Sequence, residues 1–428
     1  MTGLPASLAA QTPTYHIYAG NTHAHSAFTW SHGAQYATGT GCAGILVYAG
    51  TPPGTPLGTW SSGYVKSKKN CPTIYVINGW QLPSPNSVLK PDWQKFQGPP
   101  AVHYADAKAA GFDFYAVTDH SQEAGFNPQS PSNPDWMTTK KAAAAASDAH
   151  FVGLAGFEYS ENNGPGGTGH INVFNSAGII NALVPGHDLP YLYHWLETAV
   201  PNGAGPVLAS FNHPGPGQYN NWDYRDPKIT NIITMLEVIN SNKNIHYQGF
   251  INALDKGWKV SPISGLDNHG TGGITKDTSR TFVLATSLTK AAILDAMQHR
   301  RTYASLDQDI QCRYTVNGAI MGSTLHRPAA LKFQISISDP DTTNPNDKIT
   351  KLDIVTNGGV VVETFTPPAP AYSVNWNPTL HNASNPGSTY FFVRVWNAGG
   401  GDAPGADRAK PIAWLAPVWT GVGGSGAR

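Results

Sequence analysis

The chain has 428 residues, and its 27 basic and 27 acidic side chains cancel to a formal net charge of zero. Charged residues make up 13% of the sequence, about half the usual share of ~25%. Without a basic excess, a strong electrostatic grip on nucleic acid or on an anionic membrane is not an expected function. No apolar run approaches the ~20 residues that would span a bilayer, so we expect a soluble protein without a transmembrane segment.

The cysteines exclude one class of metal site. Cys42, Cys71 and Cys312 show no C-x-x-C spacing, which argues against a thiolate zinc site. Cys42 and Cys71 share a stretch rich in Gly, Pro and Thr, where a disulfide would close a loop. Two separate thiols are an equally weighted alternative.

The composition also bears on location. Few charges and many Gly, Thr, Asn and Trp residues suit an exported protein, so we expect a periplasmic or extracellular location. The first ten residues show neither the basic segment nor the long apolar segment of a signal peptide. A cytoplasmic location is therefore the alternative. The sequence predicts no particular oligomeric state.

Short apolar runs alternate with helical patterns from residue 14 to about residue 305. The apolar runs predict strands over residues 15–19, 112–117, 151–157, 171–174, 207–211, 233–239, 260–263 and 280–285. The helical patterns predict helices over residues 102–110, 139–149, 189–199, 245–256 and 290–300. Such alternation is typical of parallel strands joined by crossover helices, and this number of units favours a barrel over an open sheet.

Two stretches depart from this rhythm. Residues 33–100 are rich in Gly and Pro and show few periodic runs, which indicates an insertion. Period-two alternation then predicts strands over residues 330–338, 351–355, 359–363, 371–376 and 390–396. We therefore predict two domains: a barrel over residues 1–306 that contains the insertion, and an antiparallel β-sandwich over residues 307–428.

Metal-binding residue types follow nearly every predicted strand of the first domain. His23 and His25 form an H-x-H pair, and residues two apart in an extended segment point to one face, so both imidazoles can reach one ion. The other candidates, in chain order, are His32, Asp119, His120, Glu158, His170, His213, Asp267 and His269. In a parallel α/β barrel the carboxyl ends of the strands meet at one rim, where active sites lie.

A single histidine at a strand end is usually a surface residue or a hydrogen-bonded one. We keep that interpretation for His103, His150, His187, His246, His299, His326 and His381. The candidates above are different because six motifs fall at strand ends in chain order, which chance does not readily produce. Nitrogen and oxygen ligands without thiolate indicate Zn, Mn or Fe rather than Ca.

This ordered series resembles the motifs of the PHP (polymerase and histidinol phosphatase) superfamily of metal-dependent phosphoesterases, over residues 14–305. Within it, the Asp-Asn-His-Gly motif that begins at Asp267, the end of the last helix and the following β-sandwich resemble the extracytoplasmic branch. That branch includes carbaryl hydrolase-like metallohydrolases. The resemblance implies an α/β fold, a distorted (β/α)7 TIM-like barrel that holds two or three divalent metal ions.

The resemblance also assigns roles to residues. It divides the ligands among three ions: His23, His25, Glu158 and Asp267 at the first; Glu158, His170 and His213 at the second; His120, His269 and His32 at the third. It makes Glu158 a bridging ligand and, with Asp267, a catalytic carboxylate. Asp119 joins them as a candidate that orients a neighbouring ligand; the alternative for Asp119 is a strand-end cap.

The implied activity is hydrolysis of a small-molecule phosphate ester by a metal-bridging hydroxide, without a nucleic-acid partner. The same hydroxide can attack a carbonyl, so a carbamate, amide or carboxylic ester hydrolase is the alternative. Arg280 and Lys276 are the candidate cations beside the motifs, so phosphate recognition would rest mainly on the metals. A non-catalytic, metal-stabilised binding protein ranks lowest, because the ligand series is almost complete. We expect the insertion to cover the site.

Overall fold

The protein is seen here as a computed structural model. It describes residues 13–29, 75–77, 80–82, 98–122, 126, 129–160, 169–182, 184, 186–241, 244–326, 328–381, 387–402 and 409–420. Several sequence predictions fall outside these residues: the third-metal ligand His32, the Cys42–Cys71 pairing and most of the insertion.

The predicted helices and strands are confirmed, with small differences in their bounds. The helices are α1 (Pro100–Ala109), α2 (Pro134–Ala146), α3 (Leu189–Thr198), α4 (Tyr247–Asp255) and α5 (Lys290–Gln298). The strands of the first part are β1 (His16–Asn21), β2 (Ala24–His25), β3 (Tyr75–Ile77), β4 (Trp80–Leu82), β5 (Phe114–His120), β6 (Val152–Tyr159), β7 (His170–Phe174), β8 (Leu208–Asn212), β9 (Ile233–Asn240), β10 (Asn244–Ile245), β11 (Ser261–Gly265), β12 (Asn268–His269), β13 (Arg280–Ala285) and β14 (Thr302–Ser305). No helix in the described ranges has the length and apolar character needed to cross a bilayer.

Helix α2 begins five residues earlier than the sequence predicted. The Asn133 side chain accepts a hydrogen bond from the Trp136 N–H at 2.9 Å, and Pro134 takes the first helical position. A side-chain cap followed by Pro is a strong local start signal, because it satisfies one free amide and needs no N–H at the next position. The alanine run alone had placed the start too late.

Most strands of the first part lie side by side in the order β10-β9-β8-β7-β6-β5-β1-β13-β14, and β11 pairs with β9. The pairs β1–β5, β5–β6, β8–β9 and β9–β11 are parallel, as expected. The pairs β6–β7, β7–β8 and β1–β13 are antiparallel, so the expectation of parallel strands is wrong there. Residues 160–169 between β6 and β7 are fewer than the dozen or more that a parallel crossover needs.

The ends of β1 and β11 meet although they are far apart in the sequence. The short strand β2, which follows β1, pairs in parallel with β12, which follows β11. The Asp267 N–H donates to the His23 carbonyl at 2.9 Å, and the Leu266 N–H donates to Asn21 Oδ1 at 2.9 Å. Two of the ligand-bearing segments are thereby fixed against each other. The (β/α)7 barrel form of these strands stays a prediction.

Aromatic side chains fill the layer between the helices and the sheet. The Phe157 ring of β6 lies edge-on between Trp136 of α2 and Trp195 of α3, with ring centroids 5.9 and 6.0 Å away. Trp136 and Phe157 have no exposed surface. Large buried rings contribute strongly to stability, so this layer gives the strand ends a rigid support.

The last part of the chain contains two antiparallel sheets with a shared core. Its strands are β15 (Gln311–Val316), β16 (Ala319–Ile320), β17 (Ala330–Ser338), β18 (Ile349–Thr356), β19 (Val360–Phe365), β20 (Ser373–Trp376), β21 (Thr379–His381), β22 (Tyr390–Asn397), β23 (Ala413–Leu415) and β24 (Val418–Trp419). One sheet holds β16, β15, β17, β20 and β21; the other continues from β14 through β23, β22, β18 and β19. The boundary predicted at residues 306 and 307 falls between β14 and β15, and it stays a prediction.

Gly153 of β6 allows α2 to pack closely on the sheet. A methyl group at this position would lie 2.5 Å from the Ala143 carbonyl oxygen of α2. We predict that Gly153→Ala lowers the free energy of unfolding by about 1–3 kcal/mol, because the helix must move outward. Urea denaturation followed by circular dichroism measures this change.

The matched control is Gly178→Ala. Here the nearest atoms to an added methyl group are 3.8 and 3.9 Å away, so the change in stability should stay within about 0.5 kcal/mol. Equal losses in the two variants would contradict the close-packing explanation.

Candidate metal centre

The structure brings together every predicted ligand that lies in the described residues. They come from the segment after β1 and from the ends of β5, β6, β7, β8 and β11: His23, His25, His120, Glu158, His170, His213, Asp267 and His269. Within each of several groups of three, the nitrogen and oxygen ligand atoms lie within 4.8 Å of one another. The candidate ligands therefore form one cluster.

Glu158 lies at the middle of this cluster. Its Oε1 is 3.1 Å from His170 Nδ1 and 3.3 Å from His213 Nε2, and its Oε2 is 3.0 Å from His120 Nε2. The side chain is 1% exposed. A single buried carboxylate thus contacts three imidazoles, two from strands β5 and β7 and one from the residue after β8, which is a suitable position for a ligand shared between ions.

His23, His25 and Asp267 form the tightest part of the cluster. The two Nε2 atoms are 3.0 Å apart. Asp267 Oδ1 lies 2.9 Å from His25 Nε2 and 3.5 Å from His23 Nε2. The H-x-H pair therefore directs both imidazoles to one point, as its spacing predicted.

The Nδ1 atoms of these two rings, which face away from the point of convergence, form hydrogen bonds with other residues. His23 Nδ1 lies 2.7 Å from Glu237 Oε1, and a carboxylate can only accept, so this nitrogen is the donor. The Thr29 hydroxyl donates to Asp119 Oδ1 at 2.8 Å, which leaves its oxygen to accept from His25 Nδ1 at 3.2 Å. With Nδ1 as donor, each neutral ring carries its lone pair on Nε2.

These tautomers test whether the residues fit a metal. Two Nε2 lone pairs face each other at 3.0 Å, beside oxygens of Asp267 and Glu158. Such an arrangement is repulsive unless positive charge lies among the four groups, either as a second proton on His23 or as a metal ion. Imidazole nitrogen and carboxylate oxygen, without thiolate, are the donor set of Zn, Mn or Fe sites. The residues fit divalent metal ions.

Electrostatics at the cluster favour positive charge. Burial lowers the pKa of His23, but Asp267, Glu237 and Glu158 outweigh it and hold that pKa well above the usual value. Burial raises the pKa of Glu158, but His170 and His23 outweigh it and hold that pKa well below the usual value. The carboxylates attract positive charge to the point where the lone pairs converge.

Burial and the neighbouring His120 lower the pKa of His25 to about 3, against the opposing effect of Asp267. His25 is therefore neutral near pH 7, and the neutral imidazole is the form that binds metals. Its ring stacks on that of His269, with centroids 4.1 Å apart. The His120 ring is 4.5 Å from it. These three histidines form one of the groups that could hold an ion.

Asp119 acts on the segment that follows His25. Its Oδ1 accepts the Ser26 N–H at 2.7 Å, and its Oδ2 accepts the Ser26 hydroxyl at 2.6 Å. The same carboxylate accepts a hydrogen bond from the Thr29 hydroxyl. The Thr29 oxygen in turn accepts a hydrogen bond from His25 Nδ1–H. Asp119 thus contacts His25 through Thr29, an arrangement that suits the orienting role inferred from the sequence.

Glu237 of β9 belongs to the cluster but was not predicted from the sequence. This carboxylate is fully buried, and besides His23 it accepts the His213 N–H at 2.8 Å and Asn240 Nδ2 at 3.1 Å. A signal was present, since Glu237 is the acidic residue of the otherwise mostly apolar strand Ile233–Asn240. A carboxylate in a buried strand needs a partner, and the nearby ligand motifs supply it.

Two ligands lie on unusual backbone. Asp267 has a φ of 47° and His213 a φ of 31°, in the left-handed region that non-glycine residues rarely adopt. The Asp267 amide is fixed by the His23 carbonyl, and the His213 amide by Glu237. Such strain persists only where the surroundings hold it, and it concentrates at functional sites.

Comparison with known proteins adds little to these observations. The chain matches no family model, and it matches no curated protein. Among solved structures, a two-domain protein from Bacteroides vulgatus, described as containing a predicted PHP-like metal-dependent phosphoesterase, is similar at 15% identity. The alignment covers 97% of this chain and 100% of that chain with a TM-score of 0.41. A likeness at this level carries no functional conclusion.

Gly265 allows β11 to approach the metal ligands. A methyl group here would lie 2.0 Å from Glu237 Oε1 and 2.7 Å from the His23 Cβ. We predict that Gly265→Ala displaces the Glu237 carboxylate from His23 Nδ1 and weakens metal binding about 10–100-fold. Competition of the folded protein with a coloured zinc indicator measures the affinity.

The control is again Gly178→Ala, where an added methyl group has room. It should bind metal as the unchanged protein does. Unaltered zinc affinity in folded Gly265→Ala would show that the Glu237–His23 contact does not support the site.

Proposed function

We propose that this protein is a metal-dependent hydrolase of the PHP type, and specifically a phosphoesterase that acts on a small-molecule phosphate ester. One observation carries the proposal. The Nε2 atoms of His23 and His25 converge on the carboxylates of Asp267 and Glu158, with their outer nitrogens held by other residues. This arrangement suits divalent cations.

The ligands divide naturally into overlapping sets. The sets with mutually close ligand atoms are His23, His25 and Glu158; His23, His213 and Asp267; Glu158, His170 and His213; and His25, His120 and His269. Sharing of Glu158 and His25 between sets supports two or three ions. Zn, Mn and Fe are the candidates from the donor types.

Such ions, when bound, make water nucleophilic near neutral pH and stabilise negative charge on the attacked group. The residues of the chain supply the rest. Glu237 and Thr29 fix the rings of His23 and His25, and Asp119 fixes Thr29. Rings held in this way need no reorientation during reaction, which lowers the free energy needed to reach the transition state.

The exposed side of the cluster indicates where substrate enters. The side chain of His170 is 30% exposed, that of His213 21% and that of Asp267 19%, whereas Glu158 is 1% exposed. We infer that substrate approaches over these three residues. Near the segment after His25, the Ala27 N–H donates to the Gly98 carbonyl at 3.0 Å. This contact places Gly98, at the end of the insertion, beside that segment; that the insertion covers the site remains our proposal.

A second candidate function has a specific observation in its favour. Arg280, a possible phosphate ligand, is 6% exposed; it donates to the Asp277 and Ser279 carbonyls and lies 3.8 Å from the centre of the Phe112 ring. Its guanidinium is therefore engaged elsewhere. Without that cation the site suits a carbamate, amide or carboxylic ester almost as well. A non-catalytic binding protein stays the least favoured proposal.

A substrate panel distinguishes these functions. The protein, loaded with Zn or Mn, should hydrolyse nitrophenyl phosphate faster than nitrophenyl acetate or a nitrophenyl carbamate. The chelator 1,10-phenanthroline should stop the reaction, and added metal should restore it. Faster turnover of the carbamate or the acetate would replace the phosphoesterase proposal by the alternative. Activity that the chelator leaves unchanged would contradict both.

We predict that Glu158→Gln lowers activity by several orders of magnitude. The change removes one negative charge and replaces one oxygen of a carboxylate that contacts three imidazoles, so we expect more than one ion site to be damaged. The fold should survive, since the apolar strands build the core. Steady-state kinetics on the best substrate of the panel, with metal content measured in parallel, gives the result.

Asp119→Asn is the matched carboxylate-to-amide control. Asp119 acts through Thr29, so its loss should cost only the ~10–100-fold typical of a residue behind the ligands. A Glu158→Gln variant with near-normal turnover and metal content would exclude the bridging role.

A further inference from the structure

An unusual backbone conformation occurs shortly after β8. Four successive residues, Tyr219, Asn220, Asn221 and Trp222, have φ values of 55°, 49°, 51° and 69°. We call these four residues the left-handed turn. L-amino acids other than glycine disfavour this conformation, because the Cβ atom then lies too close to the following carbonyl oxygen. Asparagine tolerates it better than most residues, but Tyr219 and Trp222 have no such tolerance, so other contacts must hold them.

Aromatic packing holds both rings of the left-handed turn. The centroid of the Tyr219 ring lies 4.6 Å from that of Phe211 on β8 and 4.8 Å from that of Trp222. Trp222 also meets Phe211 edge-on at 5.0 Å, and its carbonyl accepts a hydrogen bond from Trp258 Nε1–H at 3.0 Å. Tyr219 is 1% exposed. The turn is therefore fixed against the end of β8 in spite of its unfavourable backbone.

The Tyr219 hydroxyl lies between the ends of two strands that carry candidate ligands. It is 2.6 Å from the Asn212 carbonyl oxygen and 2.8 Å from the His170 carbonyl oxygen. A phenol has one proton to donate, so the two carbonyls share it. His170 and Asn212 are register partners in the β7–β8 pair. His170 is itself a candidate ligand, and Asn212 directly precedes His213.

The peptide group that joins Asn212 to His213 is held at both ends. Its oxygen accepts from the Tyr219 hydroxyl, and its N–H donates to Glu237 Oε2 at 2.8 Å. The next rotatable bond of the chain sets the φ of His213, which has the strained value of 31°. A fixed peptide plane limits how far His213 can relax from this value. Tyr219 and Glu237 therefore act together on the orientation of His213.

Gly169 provides a second observation about the Tyr219 ring. A methyl group at Gly169 would lie 2.4 Å from Cε1 and 2.5 Å from Cζ of this ring. Gly169 immediately precedes His170 and has a φ of 93°, which other residues rarely adopt. The chain thus lacks a side chain where the ring must pass to reach the two carbonyls. The position of the hydroxyl is specified both by the left-handed turn and by this close approach.

We propose that Tyr219 is a positioning residue for one group of the candidate metal centre, namely Glu158, His170 and His213. It acts through the main chain of His170 and His213 rather than on the reacting atoms. Its influence extends to Glu158, because the Asn212 side chain donates from Nδ2 to Glu158 Oε1 at 3.0 Å. The proposal rests on the proposed function only in that a metal ion binds these ligands.

Loss of the hydroxyl should loosen this group of ligands. His213 Nε2 now lies 3.3 Å from Glu158 Oε1, so the two atoms can reach one ion. Without the Tyr219 hydroxyl the two carbonyls lose their shared donor, and His213 can rotate toward an ordinary φ. That rotation would turn its Nε2 away from Glu158. Groups that hold metal ligands from behind typically contribute about 10–100-fold to metal affinity.

The test is zinc binding by Tyr219→Phe, which removes the hydroxyl and keeps the packed ring. In competition with a coloured zinc indicator, we expect one ion to bind about 10–100-fold more weakly than in the unchanged protein. Substitution with Co²⁺ gives a second readout, because the visible absorption of the bound ion depends on its ligand geometry. We expect this absorption to change in Tyr219→Phe. A role in stability alone would leave it as it is.

Tyr314→Phe is the matched control in the last part of the chain. The Tyr314 hydroxyl also lies against two backbone carbonyls, those of Ala416 at 2.5 Å and Phe391 at 3.3 Å, and the residue is 1% exposed. Each variant leaves buried carbonyls without their hydroxyl donor, so both should lower the melting temperature. Only Tyr219→Phe should change the zinc affinity and the Co²⁺ absorption.

Different results would overturn this proposal and the proposed function. Equal zinc affinity in the unchanged protein and in folded Tyr219→Phe would overturn the role of Tyr219 alone. An equal loss of affinity in Tyr314→Phe would do the same, because the loss would then follow from stability. A protein that binds no metal would end both proposals. If Tyr219→Phe does not fold, Gly169→Ala, which displaces the ring, should show the same weakened zinc binding, and unaltered affinity there would contradict the role.

Discussion

The candidate metal centre depends on two hydrogen bonds behind its histidines. The Nδ1–H of His23 donates a hydrogen bond to Glu237 and the Nδ1–H of His25 donates one to Thr29, so in the neutral rings both Nε2 lone pairs point inward. Asp119 fixes Thr29 in turn. Two lone pairs 3.0 Å apart need positive charge between or beside them, which either a second proton on His23 or a metal ion can supply. The orientation of these rings, more than the number of histidines, is what makes the cluster a candidate metal site.

The fold supplies this orientation by bringing together distant parts of the chain. The pairing of β2 with β12 places the H-x-H segment against the segment that carries Asp267. Gly265, which has no side chain, lets β11 pass close to both Glu237 and His23. Buried aromatic rings hold the helices on the sheet behind these strands. Strain at Asp267 is sustained by the same contacts.

The residues that meet in the cluster could be predicted from the sequence, but Thr29 and Glu237, which orient two of them, could not. His23, His25 and Glu158 were predictable because each follows or ends an apolar run, where strand ends meet. The Thr29–Asp119 and His23–Glu237 bonds were not, since they join residues 90 and 214 positions apart. The antiparallel pairing of β6 with β7 was missed because a regular alternation of runs does not reveal strand direction.

The central claim is that divalent ions occupy the point on which the two Nε2 atoms converge. The most direct measurement is anomalous X-ray diffraction from crystals of protein purified without added metal, with data on both sides of the Zn, Fe and Mn absorption edges. We predict two or three anomalous peaks, at least one within bonding distance of His23, His25 and Asp267, and one beside Glu158. A well-ordered cluster without an anomalous peak, also after soaking in zinc or manganese, would contradict it.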